Sequence, residues 1–104
     1  MATVHWSVRV QASLDALAEY VALTSRQYAA RITTRFYEAS LPLSDFPRMG
    51  RVLPELGRDN IRELIVGNHR MIYMIDGDDV VVVALELASR DLLRLISDEP
   101  WSQP

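Results

Sequence analysis

The first apolar pattern of the chain alternates. Residues 3–10 read TVHWSVRV, in which every second side chain from Val4 to Val10 is apolar. A repeat of two is typical of a strand with one buried face, because successive side chains of a strand point to opposite faces. The pattern predicts a first strand over residues 3–10.

Helical spacing replaces the alternation after this strand. Leu14, Leu17 and Val21 recur every three or four residues, and Ser13 before them is a favourable N-cap. We therefore expect a first helix from Ser13 to about Thr24.

A second helix follows with almost no connection. Ser25 can cap it, and its apolar stripe runs through Ile32 and Phe36 towards Leu43. The two helices are predicted to form a helical hairpin. Residues 46–60 contain two prolines and two glycines and are predicted to form an ordered loop.

Three apolar runs come next and predict two β-hairpins. Gly67-Asn68 is a tight-turn signal between residues 61–66 and 69–75, and residues 76–79 form a second turn before the run 80–87.

The predicted order of elements is completed by a short last helix capped by Ser89. This β-α-α-β-β-β-α order predicts an α+β fold, with the helical hairpin packed on one face of a mostly antiparallel four-stranded sheet. The length of 104 residues predicts a single domain over residues 1–104.

Two-residue turns would fix the register of both hairpins. The predicted cross-strand pairs are Arg62–Tyr73, Glu63–Ile72, Ile65–Arg70, Arg70–Leu85 and His69–Glu86. One sheet face would then carry Arg62, Leu64, His69, Met71, Tyr73, Val82 and Glu86, and the other Ile61, Glu63, Ile65, Arg70, Ile72, Met74, Val81, Val83 and Leu85.

The charged residues of this sheet are the candidate site. Glu63 and Arg70 become diagonal neighbours on an apolar face, either as a structural ion pair or as a cleft arginine held by its carboxylate. Arg62 opposite Tyr73 is interpreted as a cation–π pair. His69 beside Glu86 is either an acid–base dyad or part of the structure.

Composition narrows the function classes. The formal net charge is −3, with 14 acidic against 11 basic side chains, which argues against a generic nucleic-acid binder. Cys is absent, which excludes thiolate catalysis and Cys-ligated metals, and two distant His residues without a spaced carboxylate are a weak signal for a metal site. We expect no metal and no cofactor. Without a signal-like or membrane-length apolar run, the expected location is the cytoplasm.

Three segments together resemble the ParE branch of the RelE/ParE toxin superfamily, the toxins of type II toxin–antitoxin and plasmid stabilisation systems. They are FPRMGRVLPE, IRELIVGNHRMIYMI and VVVVALELASRDL, and VHWSVRVQASLDALAEYV at the start is similar as well. The resemblance spans about Val4 to Leu95. It implies growth inhibition, a cognate antitoxin whose disordered tail folds around the toxin as a hetero-oligomer, and inhibition of DNA gyrase by protein–protein contact.

The ribonuclease (RelE) branch of the superfamily cuts messenger RNA on the ribosome, and its residues match this chain only in part. The resemblance aligns Arg70 with the shared strand arginine and Arg90 with the arginine after the last strand. Ile61 and Glu63 stand where that branch has lysines, and Ile96 where it has a tyrosine. Two arginines supply charge but transfer protons poorly.

The ParE pattern is not complete either, because Leu87 stands where many relatives have a His. Three hypotheses follow: a non-enzymatic inhibitor using Arg70 and Arg90, a ribosome-dependent endonuclease of mRNA using Arg70, Arg90 and His69, and an inactive relative that only binds its antitoxin.

Overall fold

The computed structural model describes residues 1–88. The elements in chain order are β1 (Thr3–Trp6), α1 (Val8–Ala22), α2 (Arg26–Ser40), a 3-10 helix (Leu41–Ser44), β2 (Arg51–Val52), β3 (Ile61–Val66), β4 (His69–Asp76) and β5 (Asp79–Leu87). The sheet order is β1-β5-β4-β3-β2, with β1 parallel to β5 and every other pair antiparallel. The predicted α+β class with a mostly antiparallel sheet is confirmed.

The strand count differs from the prediction by one. β2 pairs with β3 through Arg51 and Val52 and adds a fifth strand at the edge of the sheet. A strand of two residues is too short to show an alternating pattern. The predicted loop of residues 46–60 is therefore interrupted by an edge strand.

The boundary between β1 and α1 was predicted too late. Ser7, not Ser13, is the N-cap, and its Oγ accepts a hydrogen bond from the Val10 N–H at 3.1 Å. Val10 is fully buried on the same helical stripe as Leu14 and Leu17. The alternating pattern fitted a strand up to Val10 only because the first helical turn happens to continue it.

The second helix agrees better with its prediction. Ser25 caps α2 by accepting from the Tyr28 N–H at 3.1 Å, and Ile32 and Phe36 are buried against the sheet. Pro42 lies in the 3-10 helix that follows Ser40, so α2 ends earlier than the expected continuation to Leu43.

The first hairpin has the predicted register, with Gly67-Asn68 as its turn and Gly67 at φ +63°. The second hairpin does not have the predicted register throughout. A β-bulge at Val83 shifts the partners of residues 69–72 by one residue along β5. Arg70 consequently pairs with Glu86 instead of Leu85, and His69 with Leu87 instead of Glu86. The predicted faces of Leu85 and Glu86 are therefore wrong.

The sheet separates two apolar clusters. Helix side chains pack on one face against Val66, Met71, Tyr73, Val80 and Val82, together with Leu85. The opposite face carries the second cluster, which is made by Leu53, Ile61, Ile72, Met74, Val81, Val83 and Ala84. Leu53 belongs to the loop, so the loop after α2 passes the β3 edge and covers the face that the helices leave open.

The predicted last helix and its residues Arg90 and Ile96 lie outside the described residues. No helix within residues 1–88 has the length and apolar character needed to cross a membrane.

Candidate functional site

Arg70 lies at the centre of a buried ion cluster on the loop-covered face of the sheet. Its Nε donates to Glu63 Oε1 at 3.1 Å and its Nη2 also donates to Glu63. Glu55 from the loop accepts two further bonds, at 2.8 and 2.9 Å from Nη1 and Nη2. Arg70 is 6% exposed and Glu63 is 1% exposed. The predicted Glu63–Arg70 contact is therefore present, and Glu55 completes it.

The electrostatics of this cluster favour the charged forms. The Arg70 pKa is raised, chiefly by the hydrogen bonds to Glu55, and the Glu55 pKa is lowered, chiefly by Arg70. Arg51 adds a second cation, with Nη2 3.2 Å from Glu63 Oε1. Two arginines and two carboxylates therefore balance each other and attach the loop to the strands.

A second cluster holds the first half of the loop. Arg62 donates to the Gly50 carbonyl at 2.9 Å, the Arg48 carbonyl at 3.2 Å and the Asp59 carboxylate at 2.7 Å. Arg48 also pairs with Asp59. Hydrogen bonds from both arginines lower the Asp59 pKa.

Tyr73 fixes the same segment from inside the sheet. Its hydroxyl donates to the Pro47 carbonyl at 2.7 Å and accepts from the Gly50 N–H at 3.0 Å. Burial raises the Tyr73 pKa. Arg62 and Tyr73 face each other as predicted, but within residues 1–88 they form no cation–π contact. Both side chains instead bind loop backbone, so the cation–π interpretation is wrong.

Gly50 is required at the point where the loop meets the strand. A Cβ built there would lie 2.4 Å from the Glu63 carbonyl oxygen and 2.8 Å from the Tyr73 hydroxyl. The loop backbone can approach this closely only without a side chain.

The segment between these anchors presents apolar side chains to solvent. Phe46 is 65% exposed and Met49 is 50% exposed. Residues 46–49, which we call the loop tip, line an open depression of about 520 Å³.

His69 lies on the other side of the sheet from Arg70. Its ring meets Phe36 of α2 edge-on, with the ring centroids 5.4 Å apart. Burial lowers the His69 pKa, and the charge of Glu86 opposes this shift only partly. The structure therefore separates His69 from Arg70, while Glu86 is paired across the strands with Arg70.

The arginines on the exposed surface of α2 differ from those of both clusters in their ion pairing. Arg31 and Arg35 lie four residues apart and line a pocket of about 280 Å³ with Tyr28 and Ile32. Neither arginine has an ion pair with any residue that the structure describes.

Of the residues singled out from the sequence, the structure joins Glu63 with Arg70 and aligns Arg62 with Tyr73. Arg90 lies beyond the described part of the chain. The partners that sequence reasoning missed are Arg48, Arg51, Glu55 and Asp59. A signal existed only for Arg51 and Glu55, because a buried arginine and glutamate on an apolar face need further hydrogen-bond partners, which the covering loop can supply.

The architecture is similar to that of a solved structure. A solved structure described as the chromosomal ParDE TA system from P. aeruginosa has a TM-score of 0.71 and 20% sequence identity, and the match covers 86% of this chain and 98% of that chain. At that identity the likeness establishes the fold.

The sequence establishes the family. The profile of the family described as ParE toxin of type II toxin-antitoxin system, parDE, matches residues 4–92. The chain therefore belongs to the ParE toxin family, as its resemblance implied. No curated protein sequence matches it.

Proposed function

We propose that this chain is the toxin of a type II toxin–antitoxin module and acts in the cytoplasm as one toxin domain over residues 1–104. It inhibits DNA gyrase by protein–protein contact and is neutralised by a cognate antitoxin. Family membership supports the toxin assignment, and the state of Arg70 favours inhibition by contact over RNA cleavage.

The observation that carries this choice is that Arg70 already uses most of its hydrogen-bond donors within the protein. A guanidinium has five N–H donors, and four of those of Arg70 bond to Glu55 and Glu63. Two adjacent carboxylates also repel a phosphate. An arginine in this state stabilises the fold and is unsuited to hold the developing charge of RNA cleavage.

The position of His69 supports the same conclusion. RNA cleavage needs a proton-transferring group beside the cationic residues. His69, the substitute base of the endonuclease hypothesis, packs edge-on against Phe36 on the helix-covered face. It points away from Arg70, so the two residues do not share a site.

The antitoxin proposal draws on the charge of α2. The whole chain carries −3, but α2 has three arginines and one glutamate. Arg31 and Arg35 repel each other at this spacing and gain no ion pair within residues 1–88. An acidic antitoxin segment would supply the missing counter-charge.

A supercoiling assay with purified gyrase tests the proposal. We expect the toxin to inhibit supercoiling, and an equimolar amount of the product of the adjacent reading frame to restore it. Primer extension on translated messages serves as the parallel control and should show no new cuts. Unaffected supercoiling at toxin excess, together with cut messages during growth arrest, would contradict the proposal in favour of the endonuclease.

A further inference from the structure

Three open depressions adjoin one another across the exposed surface of α2. The first, of about 470 Å³, lies between α1 and α2 and has Trp6 and Tyr37 among its walls. The second, of about 390 Å³, shares Thr34 with the first, and the third, of about 280 Å³, shares Arg31 and Arg35 with the second. Tyr37 and Arg35 lie two residues apart, so they stand on roughly opposite flanks of the helix. A chain that crosses α2 therefore meets an aromatic flank first and a basic flank second.

The basic flank keeps its charge available. Neither Arg31 nor Arg35 has an ion pair with any of residues 1–88, although Glu38 lines the second depression beside them. The guanidinium of Arg35 lies against the β3–β4 turn, because a Cβ built on Gly67 would be 3.2 Å from its Nη1. The turn thus restricts Arg35 without neutralising it, and such preorganisation lowers the entropy cost of binding.

The distribution of charge selects an acidic peptide as the occupant. α2 carries three arginines and one glutamate, whereas the whole chain carries −3, so the positive charge is local to this helix. Two neighbouring arginines match one or two carboxylates. Nucleic acid would need a wider basic patch, but the depression on the other flank is lined by no charged side chain.

We propose that an extended acidic segment of the antitoxin crosses α2. One apolar side chain of the segment enters the depression at Trp6 and Tyr37. Its carboxylates pair with Arg31 and Arg35 on the opposite flank. The inference rests on the proposed function for its partner, and it adds the chemistry of the bound segment and the residues that receive it.

The width of the helix sets the spacing within the bound segment. A helix with its side chains is about 10–12 Å wide, and an extended chain advances about 3.3 Å per residue. The apolar residue and the nearest acidic residue should therefore be about three or four positions apart in the antitoxin.

The charge half of the inference is tested at Thr34, which is exposed between the two flanks. Thr34→Glu places a carboxylate three residues after Arg31, where it competes with the antitoxin for the arginine. Thr34→Gln has the same size without the charge and is the matched control. Arg58→Gln changes the net charge by the same amount on an exposed residue of the loop. Calorimetric titration with the purified product of the adjacent reading frame should show binding about three- to fivefold weaker for Thr34→Glu than for either control.

The apolar half is tested by Tyr37→Ala. Tyr37 is 57% exposed, so its removal leaves the core intact, and Tyr20→Ala removes a 74% exposed tyrosine from α1 as the control. We expect Tyr37→Ala to bind the antitoxin about tenfold more weakly at low and high salt alike, and Tyr20→Ala to bind as wild type. Urea denaturation of each variant reports that the fold is retained.

The outcomes separate this inference from the proposed function. If wild type binds the antitoxin and Thr34→Glu and Tyr37→Ala bind as their controls do, the inference is overturned while the proposed partner stands. A wild-type chain that does not bind the antitoxin contradicts both.

Two further probes test the chemistry of the occupant. Among overlapping synthetic peptides of the antitoxin, the peptide that competes should carry the predicted spacing, and a competing peptide without Asp or Glu overturns the inference. A labelled oligonucleotide of mixed sequence should not bind. Oligonucleotide binding that Arg31→Gln/Arg35→Gln abolishes would overturn the inference in favour of nucleic acid.

Discussion

The arginines of this protein fall into two regions that use the same side chain in opposite ways. Between loop and sheet, Arg48, Arg51, Arg62 and Arg70 all pair with carboxylates. On α2, neither Arg31 nor Arg35 pairs with a carboxylate of residues 1–88. The arginines of the first region hold the loop through their ion pairs, whereas Arg31 and Arg35 remain available to bind an acidic partner.

This difference shows where function should be sought. In the sequence, Arg70 and Glu63 resemble residues of a catalytic cleft. In the structure, Glu63 and the loop residue Glu55 neutralise the charge of Arg70. A paired and buried arginine contributes to the free energy of unfolding only as long as its partners remain. The surface available to an acidic partner is the unpaired face of α2.

The largest effect is expected from breaking the buried cluster. Arg70→Met leaves Glu63, 1% exposed, with only the longer contact to Arg51, and should lower the free energy of unfolding by about 3–5 kcal/mol. Urea denaturation measures this value. The matched control Arg31→Met removes an exposed, unpaired arginine and should change it by less than about 0.5 kcal/mol. Equal losses in both variants would erase the distinction between the two regions.

A smaller effect is expected where the loop meets the strand. Gly50→Ala places a methyl group against the Glu63 carbonyl and the Tyr73 hydroxyl, and the shift this forces should cost about 1–3 kcal/mol. Gly57→Ala is the control, because open space surrounds it and only its φ of +63° resists, at a cost of about 1 kcal/mol. Urea denaturation of both variants measures the difference. A Gly50→Ala protein with wild-type stability would show that the loop is not tightly held.

The sequence predicted most of the fold because its signals are local. Gly67-Asn68 fixed the first hairpin and its register, and Ser25 fixed the start of α2. The errors arose where two local patterns compete or where none exists. Val8 and Val10 fit both a strand and a helix, the bulge at Val83 lies within an unbroken apolar run, and β2 is two residues long.

The candidate site was predictable only for residues on the strands. Alternation and register placed Glu63 beside Arg70 and Arg62 opposite Tyr73. Arg62 and Tyr73, however, form their hydrogen bonds with the backbone of the loop. The path of that loop depends on tertiary packing, which no local pattern reveals. Glu55 could not be placed for the same reason, because no period relates a loop residue to the strand it crosses.

The pH dependence of stability should separate two groups. Burial holds the pKa of His69 below its ordinary 6.5. At a pH between these two pKa values, His69 is therefore protonated in the unfolded chain and neutral in the folded chain. Stability should therefore fall as pH drops below about 6.5 towards the lower folded pKa. His69→Gln should remove this part of the pH dependence of stability. Glu55, whose pKa Arg70 holds below 4.5, adds a second loss at lower pH that persists in the variant. Urea titrations from pH 8 to pH 3 measure both, and an identical decline of both proteins between pH 6.5 and 5 would contradict the burial of a neutral His69.

The smallest change in the free energy of unfolding is expected from substitutions on α2. The same substitutions should clearly weaken antitoxin binding. Arg31→Gln/Arg35→Gln removes two like charges four residues apart and should stabilise the fold by about 0.3 kcal/mol. Affinity for an acidic antitoxin should nevertheless fall about three- to tenfold, as expected for two screened ion pairs of up to about 1 kcal/mol each. Arg9→Gln/Arg58→Gln changes the net charge equally on exposed residues elsewhere and is the control. Calorimetric titration at two salt concentrations should show the difference shrinking as salt rises, because screening weakens exposed pairs. If both double variants lose affinity equally, net charge alone attracts the antitoxin, and α2 has no special part in its binding.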